Sequence, residues 1–248
     1  DFLEGTSINE NELPKNQLQA LAISSLALAT DARPASATHT DGQYFGSPTE
    51  QTALAFAEKL GFNQTKLLSE WRQLDALAFG ANWKYRASLR AHSHQASHVL
   101  FVNGAPDILL DASSYALNEH GEVKPLTSVE RQKLHRKISE HAASGDRLLA
   151  VAVNRHFARN DITHRDIENL TFFGVLVIKD PPRPEVAEAI RQTLSAGIKV
   201  KLVTGDHAVT ARAIARAVGL PATADTVCSG SELAEMNDED VAATLKTA

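Results

Sequence analysis

Apolar residues along this 248-residue chain fall into two kinds of spacing. In the first part, helical and strand periods are mixed. A helix is predicted from Pro14 to about Ala29, and residues 31–43 read as a polar loop. Ser47-Pro48-Thr49-Glu50 then has the form of a capping box with proline in the first turn. Ala53, Phe56, Ala57 and Leu60 behind it share one helical face, with Gly61 as the stop. Strands are expected around Leu74–Phe79, Tyr85–Ala91 and His98–Val102. A short helix follows Pro106, a longer one runs from Ser128 to Ala143 with Gly145 after it, and Arg147–Val153 reads as another strand.

From Thr171 the pattern becomes βαβα. Phe172–Ile178 is an apolar, β-branched run of the kind buried on both faces of a parallel sheet. After Asp180-Pro181-Pro182-Arg183 a helix is predicted to Ala196, with Val186, Ile190 and Leu194 on one face. Ile198–Val203 reads as a second buried strand, and Thr204-Gly205-Asp206 as the turn into a helix ending near Val218-Gly219. Strand, crossover helix and strand are the unit of a doubly wound sheet. Two such strands are too few to bury it, so this second domain is expected to be partial.

Bulk properties narrow the class. Apolar residues make up 43% and charged residues 22%, the balance of a folded chain. The formal net charge is −5 with signs interspersed, which argues against nucleic acid and against a charged membrane patch. Cys228 is the single cysteine, so neither an intrachain disulfide nor a cysteine metal site is available. The apolar stretch Leu18–Ala29 is too short to span a bilayer, and Asp1 opens a polar segment without the basic start of a signal peptide. The chain therefore reads as an excised or processed piece without direct membrane contact.

Two segments have the placing of a phosphate site. Thr204-Gly205-Asp206 stands where a predicted strand gives way to a helix, a position where helix N–H groups attract phosphate. Thr204 offers a hydroxyl, Gly205 permits close backbone approach, and Asp206 is suited to a magnesium-bound water. The plainer alternative is a turn at Gly205 with Asp206 as helix cap. Asp180-Pro181-Pro182-Arg183 is either a functional hinge or a stiff linker. His92, His94 and His98 cluster in sequence, but a polar hairpin is the expected reading over a metal site, and no metal ligands are assigned. Trp71 and Trp83 are expected to pack.

The stretch GVLVIKDPPRPEVAEAIRQTLSAGIKVKLVTGDHAVTARAIARAVGL resembles the phosphorylation domain of P-type cation-transporting ATPases of the calcium-pump and related bacterial type. GSPTEQTALAFAEKLGF, LAFGANWKYRASL, FVNGAPDILL and SGDRLLAVAV are similar, in that order, to segments of the same pumps' nucleotide-binding domain. The resemblance implies an α/β protein in two parts. Residues 1–170 would form a nucleotide-binding domain, an antiparallel sheet flanked by helices. Residues 171–248 would form part of a phosphorylation domain of haloacid-dehalogenase, Rossmann-like type.

Roles follow at matching positions. Phe79 would stack on adenine, Glu50 would contact the adenine edge besides capping its helix, and Lys84 would lie near the nucleotide. Asn103 and Gly104 stand in the segment that lines it, Arg147 would reach the phosphates, and Asp180 and Arg183 would act at the hinge. Thr204, Gly205 and Asp206 would flank the transferred phosphoryl group. ATP and Mg²⁺ are the implied cofactors, and the membrane and actuator domains of the same pump the implied partners, on the cytoplasmic side of a membrane.

Several positions depart from the family pattern. Asn103 stands where lysine is usual, Ser47 where an acid is usual, Ala78 where proline is common, and Arg86 where methionine is frequent. Nucleotide binding is accordingly expected to be weaker than in the family at large, with Arg86 as a possible substitute for the missing charge. Neither the Asp-Lys-Thr-Gly-Thr segment that carries the phosphorylated aspartate nor the later Gly-Asp-Gly-x-Asn-Asp segment occurs in the sequence. This chain alone is therefore expected not to turn ATP over. A non-catalytic nucleotide-sensing or interaction module is the alternative reading.

Overall fold

The computed structural model describes residues 17–35, 43–92, 98–118, 121–143, 146–179, 182–204, 208–223 and 226–247. Helix α1 (Gln17–Leu28) leads to a two-strand ribbon, β1 (Arg33–Pro34) with β2 (Tyr44–Phe45), and then to α2 (Pro48–Lys59) and α3 (Gln64–Glu70). Strands β3 (Trp71–Leu77), β4 (Tyr85–His92) and β5 (His98–Gly104) follow. After them come α4 (Pro106–Asp111), β6 (Ser113–Leu117), β7 (Val123–Pro125), α5 (Ser128–Ala143), β8 (Arg147–Phe157) and β9 (Leu170–Ile178). Helices α6 (Pro184–Ser195), α7 (Ala208–Ala217), α8 (Gly230–Ala234) and α9 (Asp238–Thr247) complete the described elements.

Strands β3 to β9 pair into one sheet in the order β3-β4-β5-β8-β9-β6-β7. Every pair is antiparallel except β6 with β9. Alternation along the central strands sends side chains to two cores. Val99 and Phe101 of β5, with Val151 and Val153 of β8, meet Ile23, Leu26, Leu54 and Leu67 of α1, α2 and α3. Leu100, Val102, Ala150 and Ala152 face the other way, onto Leu109 and Leu110 of α4 and onto Ile162 and Ile167. With both faces covered, the central strands read as continuous apolar runs. The antiparallel sheet flanked by helices expected of the first region is thus present, and the protein is α/β.

Three sequence expectations need correction. Phe172–Ile178 does form a strand, but β9 pairs antiparallel with β8 and parallel with β6 inside this sheet. A run buried on both faces carries no information on the direction of its neighbours. The register skips Phe173 opposite Val151 and Ala152, and Gly174 takes φ 148° at that irregularity, a value open to glycine. Second, β3 starts at Trp71 and ends at Leu77, so Phe79 lies beyond the strand in a loop.

Third, Ile198–Val203 forms no strand, and Ile198, Leu202 and Val203 are 58%, 45% and 92% exposed. No strand is found among the described residues from 179 onward, so this run has no ladder partner to satisfy its N–H and C=O groups.

The chain divides into two compact units, one of residues 1–139 with 147–178, the other of residues 140–146 with 179–248. The second unit has a small core of its own. Ala215, Val218, Leu220 and Ala222 are buried there against Val186, Ile190 and Val200. No helix among the described residues is long and apolar enough to cross a membrane.

Candidate functional site

The last turn of α1 and the residues just after it are buried, and carbonyls there without a helical partner need another donor. Three long polar side chains supply them. Asn103 of β5 donates from Nδ2 to the Ser25 and Ala29 carbonyls at 2.8 and 3.0 Å, while its Oδ1 accepts the Ser25 hydroxyl at 2.7 Å. Gln64 Nε2 donates to the Ala27 and Ala32 carbonyls at 3.0 and 2.9 Å. Arg90 of β4 donates to the Leu28 carbonyl from Nε and Nη2, at 3.1 and 2.8 Å, and from Nη1 to the Trp71 carbonyl at 3.0 Å. Burial pushes the Arg90 guanidinium down to about 10, helped by the nearby positive charge of Arg86.

These bonds fix the turn at Thr30 and Asp31, and Glu50 holds that turn from α2. Glu50 Oε1 accepts the Asp31 N–H at 3.0 Å and the Thr30 hydroxyl at 3.3 Å, and its Oε2 accepts the Ser47 hydroxyl at 2.7 Å. Burial raises the Glu50 carboxyl, but the hydrogen bonds from Asp31, Ser47 and Thr30 outweigh it and leave the group below the usual carboxylate range. The capping role expected of Glu50 is therefore realised, with both its oxygens engaged.

Opposite this turn stands the loop between β3 and β4. Its backbone folds back, with the N–H groups of Trp83 and Lys84 both donating to the Gly80 carbonyl, at 3.0 and 2.7 Å. Lys84 takes φ 55°, an uncommon conformation for a residue with a side chain. The Lys84 carbonyl then accepts the Ala105 N–H at 2.8 Å, which draws β5 close. Gly104 is needed for that approach, because a Cβ there would lie 2.5 Å from Tyr85 Cβ. Behind the loop, Trp83 stacks on His164 with ring centroids 4.0 Å apart, and the Tyr85 hydroxyl is hydrogen-bonded to His164 Nδ1 at 2.8 Å. Trp83 is thus half-exposed and stacked, while Trp71 is buried against Phe101 as expected of a packing residue.

Between the two loops lies a cavity of about 630 Å³. Glu50, Phe79, Lys84, Asn103 and Gly104, all named from the sequence, line it together with Asp31 and Arg86. Phe79 is 61% exposed, an unusual state for a phenylalanine fixed in an anchored loop. Arg86 is ion-paired with Asp31. Arg147 starts β8 on the exposed side and is not among the lining residues, although its neighbours Leu148 and Leu149 are.

Of the other sequence candidates, Arg183 is exposed at the N-cap of α6 and Thr204 is exposed after the irregular run. Asp180, Gly205 and Asp206 lie outside the described residues, as does His94. His92 packs on Trp71 at a centroid distance of 4.6 Å. Among the described residues no group of three His, Cys, Asp or Glu side chains is placed to hold a metal ion. Sequence reasoning missed Asp31, Arg90 and His164. Their partners are 55, 62 and 79 residues away, beyond any local pattern.

Residues 17–185 match the family described as P-type ATPase, cytoplasmic domain N. The chain belongs to the P-type ATPase family. It is 35% identical over 207 residues to a cation-transporting ATPase, pma1, of Synechocystis, a match covering 82% of this chain and 22% of that protein. With the probable cation-transporting ATPase F of Mycobacterium tuberculosis, identity is 34% over 216 residues, 84% of this chain and 23% of the other. With a calcium-transporting ATPase of Bacillus subtilis it is 30% over 239 residues, 95% and 26% respectively. The chain therefore spans about a quarter of the length of the curated relatives it matches. The cavity and its lining lie within the matched cytoplasmic domain N.

Proposed function

We propose that the first unit is an ATP site, with adenine stacked on Phe79 inside the cavity and the phosphates directed toward Lys84 and Arg86. The exposed ring of Phe79 carries this reading, because a flat aromatic face held in water beside an apolar cleft is what a nucleobase uses. Lys84 and Arg86 on the same wall supply positive charge for the anionic part of the ligand. Glu50 acts by shaping the Thr30–Asp31 wall, and a direct contact with adenine would compete with its present bonds.

In the complete pump this site holds the nucleotide whose phosphoryl group passes to an aspartate not contained in this sequence, and the cycle moves a cation across the membrane. Thr204, Gly205 and Asp206 flank that transfer, with Asp180 and Arg183 at the hinge, as the family resemblance implies. Arg147 approaches the phosphates from the edge of the cavity. Mg²⁺ travels with the nucleotide, held mainly by phosphate oxygens. By itself this chain binds ATP without turning it over, for want of the nucleophile.

Calorimetric titration of the chain with ATP, with and without Mg²⁺, tests the reading. Saturable binding with little dependence on Mg²⁺, weakened in Phe79→Ala, is expected. Absence of binding at millimolar ATP would overturn it.

A further inference from the structure

Most polar groups on the cavity wall are already spent on the fold. Both donors and the acceptor of Asn103 are engaged with α1, and the side chain is 5% exposed. Glu50 uses both oxygens. Arg86 differs. Alternation along β4 puts it on the face of Arg90, and its cross-strand neighbour in the register is Asn103. Its side chain is largely covered at 16% exposure, yet it is paired with Asp31, whose side chain is 61% exposed. A guanidinium on a cavity wall is thus neutralised by a carboxylate that water reaches easily.

We propose that Arg86 is the cation that takes the anionic part of the ligand in place of the lysine that related pumps usually carry at position 103, and that Asp31 is a latch it must leave to do so. This inference rests on the nucleotide reading above. An ion pair with a solvated carboxylate is weak, whereas a guanidinium meets a phosphate with two parallel, charge-assisted bonds. Exchange of Asp31 for phosphate therefore favours the bound state, while the latch keeps Arg86 paired without ligand. Asp31 also repels the incoming phosphate, so it lowers affinity for charged ligands and leaves uncharged ones unaffected.

ATP, adenosine and inorganic tripolyphosphate are titrated into the whole chain and into Arg86→Met, Arg86→Lys, Asp31→Asn and the Asp31→Asn/Arg86→Met double variant, with thermal unfolding of each as the control. Arg86→Met should weaken ATP roughly tenfold and leave adenosine unchanged, with Arg86→Lys recovering part of the loss. Asp31→Asn should tighten ATP by about threefold, and that gain should vanish in the double variant. Tripolyphosphate should follow ATP in direction, which separates recognition of phosphate from recognition of the base. An unchanged ratio of ATP to adenosine affinity in Arg86→Met, or weaker ATP binding in Asp31→Asn, would overturn the proposal while leaving the adenine site standing. If the unaltered chain binds neither adenosine nor ATP, both readings fall.

Discussion

Two apolar runs of similar composition, Leu100–Val102 and Leu202–Val203, have opposite fates. The first is fully buried in the centre of a sheet covered on both faces, while Leu202 and Val203 are 45% and 92% exposed. Neither hydrophobicity nor β-propensity separates them. What separates them is pairing, because β5 has β4 and β8 on its two sides and residues 198–203 have no strand beside them among the described residues. A strand is a property of its neighbours as much as of its own residues. The first unit builds two cores this way, and the second gathers a single small cluster around Val218.

Introducing the same charge into each run breaks the comparison most forcefully. Val102→Asp should cost more than about 4 kcal/mol and abolish cooperative unfolding of the first unit, since an aspartate there is buried without a partner. Val203→Asp should stay within about 0.5 kcal/mol in chemical denaturation. Hydrogen exchange offers the same contrast without mutation, with slow amides in β5 and β8 and fast ones over 199–203.

Asn103→Leu is the next largest effect. It should cost roughly 2–3 kcal/mol in urea unfolding, because the Ala29 carbonyl and the Ser25 hydroxyl are left buried without their partner. A small effect would mean that Asn103 does not secure the end of α1. Phe79→Ala should leave stability within about 0.5 kcal/mol, as expected of an exposed ring, while ATP affinity falls about tenfold or more.

The smallest effect concerns Glu50. Its carboxyl is held below the usual range in the folded state, so the stability it adds is present above the ordinary glutamate value and lost as pH falls through the folded one. Glu50→Gln should therefore flatten the stability profile on the acid side of the ordinary glutamate value and change its slope little near neutrality. Identical acid slopes for both proteins would contradict the hydrogen-bonded carboxylate.

Element types in the first unit could be read from the chain because local signals agreed with the final packing. Ser47-Pro48-Thr49-Glu50 opens a helix where it should, and Ala53, Ala57 and Leu60 behind it are buried on one face as their spacing says. Five of the residues assigned to the nucleotide line one cavity, since the motifs that name them sit at the ends of neighbouring strands and helices. What stayed hidden depends on distant partners. The Arg86–Asp31 pair, the Trp83–His164 stack and the carbonyl bonds of Arg90 join residues that only folding brings together. Asn103 is instructive because its departure from the family pattern suggested a missing charge, whereas its amide closes the end of a helix.

The most direct test of the account maps amide NMR shifts as ATP is added to the whole chain. Saturable shifts confined to the cavity lining, around Phe79, Lys84, Arg86 and Gly104, are expected, together with their loss in Phe79→Ala. Shifts clustered elsewhere, or none at millimolar ATP, would contradict it.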